Sequence, residues 1–69
     1  MRNVYGIMNA TKYGNYLLAV KHLEGLYAGV VYQLTGYEAG ELLAESYPEF
    51  EDAGHALAWA ISVADLAAK

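Results

Sequence analysis

The first half of the chain alternates apolar and polar positions; the last quarter repeats apolar residues at steps of three and four. Residues 4–13 (VYGIMNATKY) and 16–23 (YLLAVKHL) flank the pair Gly14-Asn15. Their Tyr, Val, Ile and Thr content suits pleated strands, and Gly-Asn tolerates the positive φ of a two-residue hairpin turn. Residues 26–34 (LYAGVVYQL) follow Glu24-Gly25, a second such turn. A looser connection with two glycines, 35–40, leads to a short fourth strand at 41–47 (ELLAESY). Pro48 stops that strand, because proline lacks the ladder donor. Residues 53–68 then read as a helix rich in alanine, the best helix former. Ala53, Ala56, Leu57, Ala60, Ile61, Ala64 and Ala67 form one small-residue stripe, with His55, Ser62, Asp65 and Lys69 opposite and Trp59, Val63 and Leu66 on a flank. Asp52 is placed as the N-cap, and Glu49 and Glu51 lie near the positive end of the helix dipole.

The tight turns allow the two faces of the sheet to be sorted. Flanking residues of a two-residue hairpin pair, so Tyr13 faces Tyr16 and Leu23 faces Leu26. Alternation then puts Val4, Gly6, Met8, Ala10, Leu17, Ala19, Leu23, Leu26, Ala28, Val30 and Leu34 on one face, with Lys12 and Lys21 snorkelling outward. Tyr5, Ile7, Asn9, Thr11, Tyr13, Tyr16, Leu18, Val20, His22, Tyr27, Val31 and Gln33 fall on the other. The first face is richer in small apolar residues and is expected to receive the alanine stripe, on the Leu42/Ala44 side of the fourth strand. The tyrosine face, joined by Glu41 and Glu45, is expected to stay open or to be covered by a second molecule. The predicted fold is α+β: an antiparallel meander of three to four strands with one C-terminal α-helix packed on one face, forming a single small domain over 1–69.

Sixty-nine residues with no cysteine leave no disulfide to brace so small a core. Stability must come from dense apolar packing, which the 57% hydrophobic content allows, or from self-association. No apolar stretch is long enough to span a bilayer, and no charged segment followed by an apolar run suggests a secretory signal, so a soluble cytoplasmic protein is expected. Asn9-Ala10-Thr11 matches a glycosylation acceptor that such a protein would not use.

Charge divides unevenly. Residues 1–21 hold Arg2, Lys12 and Lys21 and no acid, whereas all eight acids lie within 22–68, which contain no Lys or Arg. A formal net charge of −4 disfavours direct contact with nucleic acid and favours a basic partner, or only solubility. Glu38, Glu41, Glu45, Glu49, Glu51 and Asp52 cluster in sequence; the last three have a local role at the helix start, and Glu41 and Glu45 have none. Ser46 and Ser62 lack a nucleophile-elbow context, His22 and His55 read as strand-end and helix-surface residues, and no calcium loop, zinc set or phosphate loop is present. The chain is therefore read as non-enzymatic, with no catalytic residue, metal or cofactor. Tyr5, Tyr13, Tyr16 and Tyr27 share one predicted face, and tyrosine is enriched in binding hot spots.

The segment ELLAESYPEFEDAGHALAWA resembles the strand-to-helix end of small HicB-like β-β-β-α domains, with Phe50, Asp52, Ala56, Leu57 and Ala60 in the aromatic, capping and helical positions. That resemblance implies an antitoxin; the alternative to a binding inhibitor is such an antitoxin-like or structural interaction domain, in which the tyrosine face or the helix flank (Trp59, Val63, Leu66) makes a homodimer and the acids only solubilise. The whole-chain profile is similar to small acidic phage anti-CRISPR proteins: short, without cysteine and poor in motifs. It implies an inhibitor, active in the host cytoplasm as a monomer or homodimer, that binds a basic CRISPR effector subunit and blocks DNA recognition by nucleic-acid mimicry. In that reading Glu38, Glu41, Glu45, Glu49, Glu51 and Asp52 occupy lysine and arginine sites, and Tyr5, Tyr13, Tyr16 and Tyr27 supply contact area.

Overall fold

A computed structural model describes the backbone of residues 6–36 and 38–68 and the side chains of all of these except 6–9 and 38. It consists of β1 (Gly6–Tyr13), β2 (Tyr16–Leu23), β3 (Leu26–Thr35), β4 (Glu38–Glu45) and α1 (Ala53–Ala67). The strands form one antiparallel sheet in the order β1-β2-β3-β4. The α+β meander with a C-terminal helix is therefore the observed architecture. The expected start of the first strand at residues 4 and 5 lies outside the described residues.

Both hairpin turns follow from their residues. Gly14 has φ 62°, and Tyr13 pairs with Tyr16 across it. Glu24 and Gly25 both have positive φ, 50° and 84°, and Leu23 pairs with Leu26. Two consecutive positive φ values define the turn whose twist matches the flanking strands. The third connection is tighter than expected: Thr35 already pairs with Glu38, with Gly36 at φ 63° between them. β4 accordingly starts at Glu38 rather than at 41, and it ends at Glu45 rather than at 47.

After β4 the chain stays beside β3. The Ser46 amide donates to the Gly29 carbonyl at 2.9 Å, and the Gly29 amide donates to Ser46 Oγ at 2.9 Å. Tyr27 and Phe50 then exchange both backbone hydrogen bonds, at 2.7 and 3.2 Å. Pro48 sits at the centre of a three-residue turn closed by the Glu49 amide donating to the Tyr47 carbonyl at 2.8 Å. This segment delivers Asp52 to the start of α1. Asp52 holds the N-cap position, and its carbonyl accepts from His55 and Ala56, but its side chain makes no capping bond. The carboxylate leans over Gly54 instead, where an added Cβ would lie 2.9 Å from Oδ2.

The helix packs on the face opposite to the one expected. Leu18 and Val31, from the tyrosine face, form the core with Ala60 and Ala64, and Tyr16, Ala44 and Trp59 pack against them. The cause is Gly29. It shares that face with its partner Val20, near the middle of the sheet. A Cβ there would come within 2.5 Å of the Ala56 carbonyl oxygen and 2.8 Å of Trp59 Cε3. The deepest recess of the sheet is therefore on the tyrosine side, and Ala56, Ala60 and Ala64, all fully buried, lie along it. Leu57 and Ile61 are half-buried, while Ala67 is exposed and leaves the stripe.

The other face is also closed at its centre. Ala19, Ala28 and Val30 are at most 1% exposed, although among the described residues no helix lies over them. Lys21, paired with Ala28, reaches Glu45, paired with Val30, at 2.8 Å. Their strands flank β3, about 9–10 Å apart at two strand spacings. The two side chains must therefore lie across β3, and the small Ala28 leaves room for the lysine stem.

Two irregularities change the expected alternation. In β1 the register shifts between Met8 and Thr11, so that Ile7 pairs with Lys21 and Met8 with Val20. Upstream of this bulge the pairing register is offset by one residue from the expected one. In β4 the shifts fall on either side of Tyr32, which pairs with Leu42, whereas Val31 pairs with Ala44. Ala44 takes the helix side as expected; Leu42 does not, because it follows Tyr32 to the opposite face.

Replacing Gly29 with alanine tests the close approach. A methyl group directed at helix backbone should cost about 1–3 kcal/mol, as overpacking of a closed core does. Urea denaturation should show a lower midpoint; an unchanged midpoint would mean that the helix does not rest on this residue.

Candidate functional site

With both central surfaces of the sheet occupied, the accessible surface shifts to the margins. β4 is an edge strand, and among the described residues no strand lies outside it. Leu42 and Leu43 are 48% and 45% exposed, and Tyr47, just beyond the strand, is 81% exposed. Glu41, Glu49, Glu51 and Asp52 are exposed on this strand and the segment after it. Along the chain, exposed Leu42, Leu43 and Tyr47 fall between Glu41 and the acids Glu49, Glu51 and Asp52.

Glu38 belongs to β4 through its pairing with Thr35, but its side chain lies outside the described residues. Glu41 is on the strand and exposed; Glu45 is on the strand and held by Lys21. Glu45 therefore stands on the side of the sheet away from the helix. It does not join the tyrosines, contrary to expectation, because the helix has taken their face. Glu49, Glu51 and Asp52 follow in the segment that runs beside β3. These acids thus share one margin, though not one flat face.

The tyrosines separate from them. Tyr5 lies outside the described residues. Tyr13 donates its hydroxyl hydrogen bond to Asp65 Oδ1 on the helix at 2.7 Å. Tyr16 packs against the core. Tyr27 stacks on His22, with ring centroids 4.6 Å apart and planes 13° from parallel. Three of the expected contact rings are thus structural: they clasp the helix end, fill the core and brace the strand end. Leu42, Leu43 and Tyr47 take the role of exposed apolar contact. Two signals could have located them: the consecutive Leu42-Leu43, which no strict alternation accommodates on one buried face, and the last place in a meander, which is always an edge.

A cleft of about 310 Å³ lies between the β1–β2 turn and the helix end, lined by Tyr13, Gly14, Asn15, Tyr16, Ala64, Ala67 and Ala68. It holds no histidine, and its walls supply no arrangement of nucleophile and base. Among the described residues no group of three His, Asp or Glu could hold a metal ion. None of the described helices is long and apolar enough to cross a membrane. Comparison with protein-family models, with curated proteins and with solved structures finds no match.

The Tyr13–Asp65 clasp has a pH signature. The hydrogen bond to Asp65, then desolvation and the nearby negative charge, raise the Tyr13 phenol above its ordinary value of 10.0. A folded-state value above the unfolded one stabilises the protein fully below about pH 10, and this contribution is lost as pH rises through the folded value. Tyr13→Phe should therefore melt below the parent at pH 8, and the two melting curves should converge above pH 10. A constant difference across that range would show that the clasp does not act through the phenol proton.

The bridge across β3 is tested by a double-mutant cycle. Lys21 and Glu45 side chains are 19% and 32% exposed, so the pair is sheltered but still screened by solvent. Lys21→Met combined with Glu45→Gln should give a coupling energy of about 0.5–1 kcal/mol that shrinks in 1 M salt. Zero coupling at low salt would remove the bridge from the account of how this face is closed.

Proposed function

We propose that the protein is a non-enzymatic inhibitor that holds a basic, nucleic-acid-binding protein against its β4 margin. The observation that carries this reading is the juxtaposition of exposed Leu42, Leu43 and Tyr47 with Glu41, Glu49 and Glu51 on one margin. Apolar anchors with a charged surround are how protein interfaces combine contact energy with electrostatic selection. Lys21 offsets Glu45, and residues 22–68 hold no Lys or Arg to offset Glu41, Glu49 and Glu51. A basic surface is the complementary partner.

The finer reading is an anti-CRISPR action in the host cytoplasm. Carboxylates of this margin occupy lysine and arginine sites of a CRISPR effector and block DNA recognition. The tyrosine face has no part in it. Contact area comes from Leu42, Leu43 and Tyr47, and charge steers the encounter. The association weakens with salt, because the screening length falls from about 10 Å at 0.1 M to about 3 Å at 1 M.

The test is a DNA-binding assay on a panel of purified CRISPR effector complexes, with and without the protein in excess. Inhibition of one of them, lost in a Glu41→Lys/Glu49→Lys/Glu51→Lys variant and reduced in Leu42→Ser/Leu43→Ser, supports the proposal. Undiminished inhibition by the charge-reversed variant would overturn the mimicry; full DNA binding by every effector would overturn the choice of partner. The helix flank, where Leu66 is 71% exposed, also favours a second reading, a homodimeric interaction domain. Light scattering tests it: a stable particle of twice the 7.5 kDa chain mass that Leu66→Ser dissociates would favour that reading.

A further inference from the structure

We infer that the outer edge of β4 accepts a short, extended basic segment of the partner as a fifth strand; this rests on the reading of β4 as the partner-binding margin. The edge has a defined hydrogen-bonding end. The Ser46 amide donates inward to the Gly29 carbonyl. Strand alternation then directs the amide and carbonyl of its neighbour Glu45 away from β3. Edge strands are commonly protected by lysine or proline, and β4 contains neither. The opposite edge, β1, carries Lys12.

The side chains select what can pair there. Leu42 and Leu43 offer apolar cover to an incoming strand, and Glu41 stands beside them. A segment alternating Lys or Arg with β-branched residues matches that pattern: main-chain bonds supply affinity and alternate side chains supply selection. A second copy of the chain is a poor occupant. It would bring an equally acidic margin to the same edge, and like charges brought opposite each other destabilise a strand pair. The register shifts around Tyr32 confine the regular edge to the Ala44–Glu45 end, so the added strand is short.

The full chain is titrated with a labelled peptide probe alternating lysine and valine, followed by fluorescence anisotropy, with amide hydrogen exchange read by NMR. One control is the same peptide N-methylated at alternate residues, which keeps the charge and removes the donors along one edge. The lysine-valine probe should bind about tenfold or more tightly over that control, and exchange of the Glu45 amide should slow by a similar factor. Equal binding of both peptides, with Glu45 exchange unchanged, overturns strand addition and leaves the acidic margin standing. Failure of both peptides to bind overturns both. Binding of both with equal affinity to the Glu41→Lys/Glu49→Lys/Glu51→Lys variant removes the margin and retains no role for its charge.

Discussion

The close seating of α1 on Gly29 is the constraint from which the rest follows. A sheet residue without a side chain lets the helix backbone at Ala56 descend to near contact, and alanines at four-residue steps continue that contact to Ala60 and Ala64. Neither element works alone. A helix of larger residues would stand off from the sheet, and a side chain at 29 would lift it. Once the helix occupies that recess, Tyr13, Tyr16 and Tyr27 lose their freedom to serve as a binding face. The opposite face must then be closed by other means, and among the described residues the Lys21–Glu45 pair lies across it.

The device used there is economical in residues. Ala28 and Val30 leave a shallow trough across β3, and the Lys21–Glu45 pair spans it. This employs one of few cations in the chain internally. What remains on the β4 side is uncompensated negative charge, beside leucines that neither layer of the fold can cover. The packing solution and the proposed binding margin are thus two outcomes of one distribution of side chains.

Much of this architecture is legible in the residues. Gly14-Asn15 and Glu24-Gly25 mark the hairpins, the alanine rhythm marks the helix, and pairing across each turn sorts β2 and β3 into faces. The side chosen by the helix is not legible from the apolar character of each face. Ala19 and Ala28 make one face look suited to close packing, while a single glycine on the other decides the matter through the absence of a Cβ. Bulges escape alternation for a related reason: the extra residue near Asn9 and Ala10, and those in β4, carry no turn chemistry and show only in the register. At the margin, the acids are visible as a cluster, but alternation alone puts Tyr13, Tyr16 and Tyr27 with them, on the face that the helix takes. Leu42, Leu43 and Tyr47 became candidates only once β4 stood as an edge with its register known.

The consecutive order of the strands has a further consequence for how the molecule assembles. Each strand pairs with its neighbour in the chain, so hairpins can close early with small loop entropy, and such local topologies fold quickly. The alanine helix is the last element in chain order, however. During synthesis, the hairpins can form while the recess at Gly29 and the apolar residues around it still face water. A sheet without α1 would leave Leu18, Val31 and the recess at Gly29 open to water, so docking of the helix is what shields that apolar face.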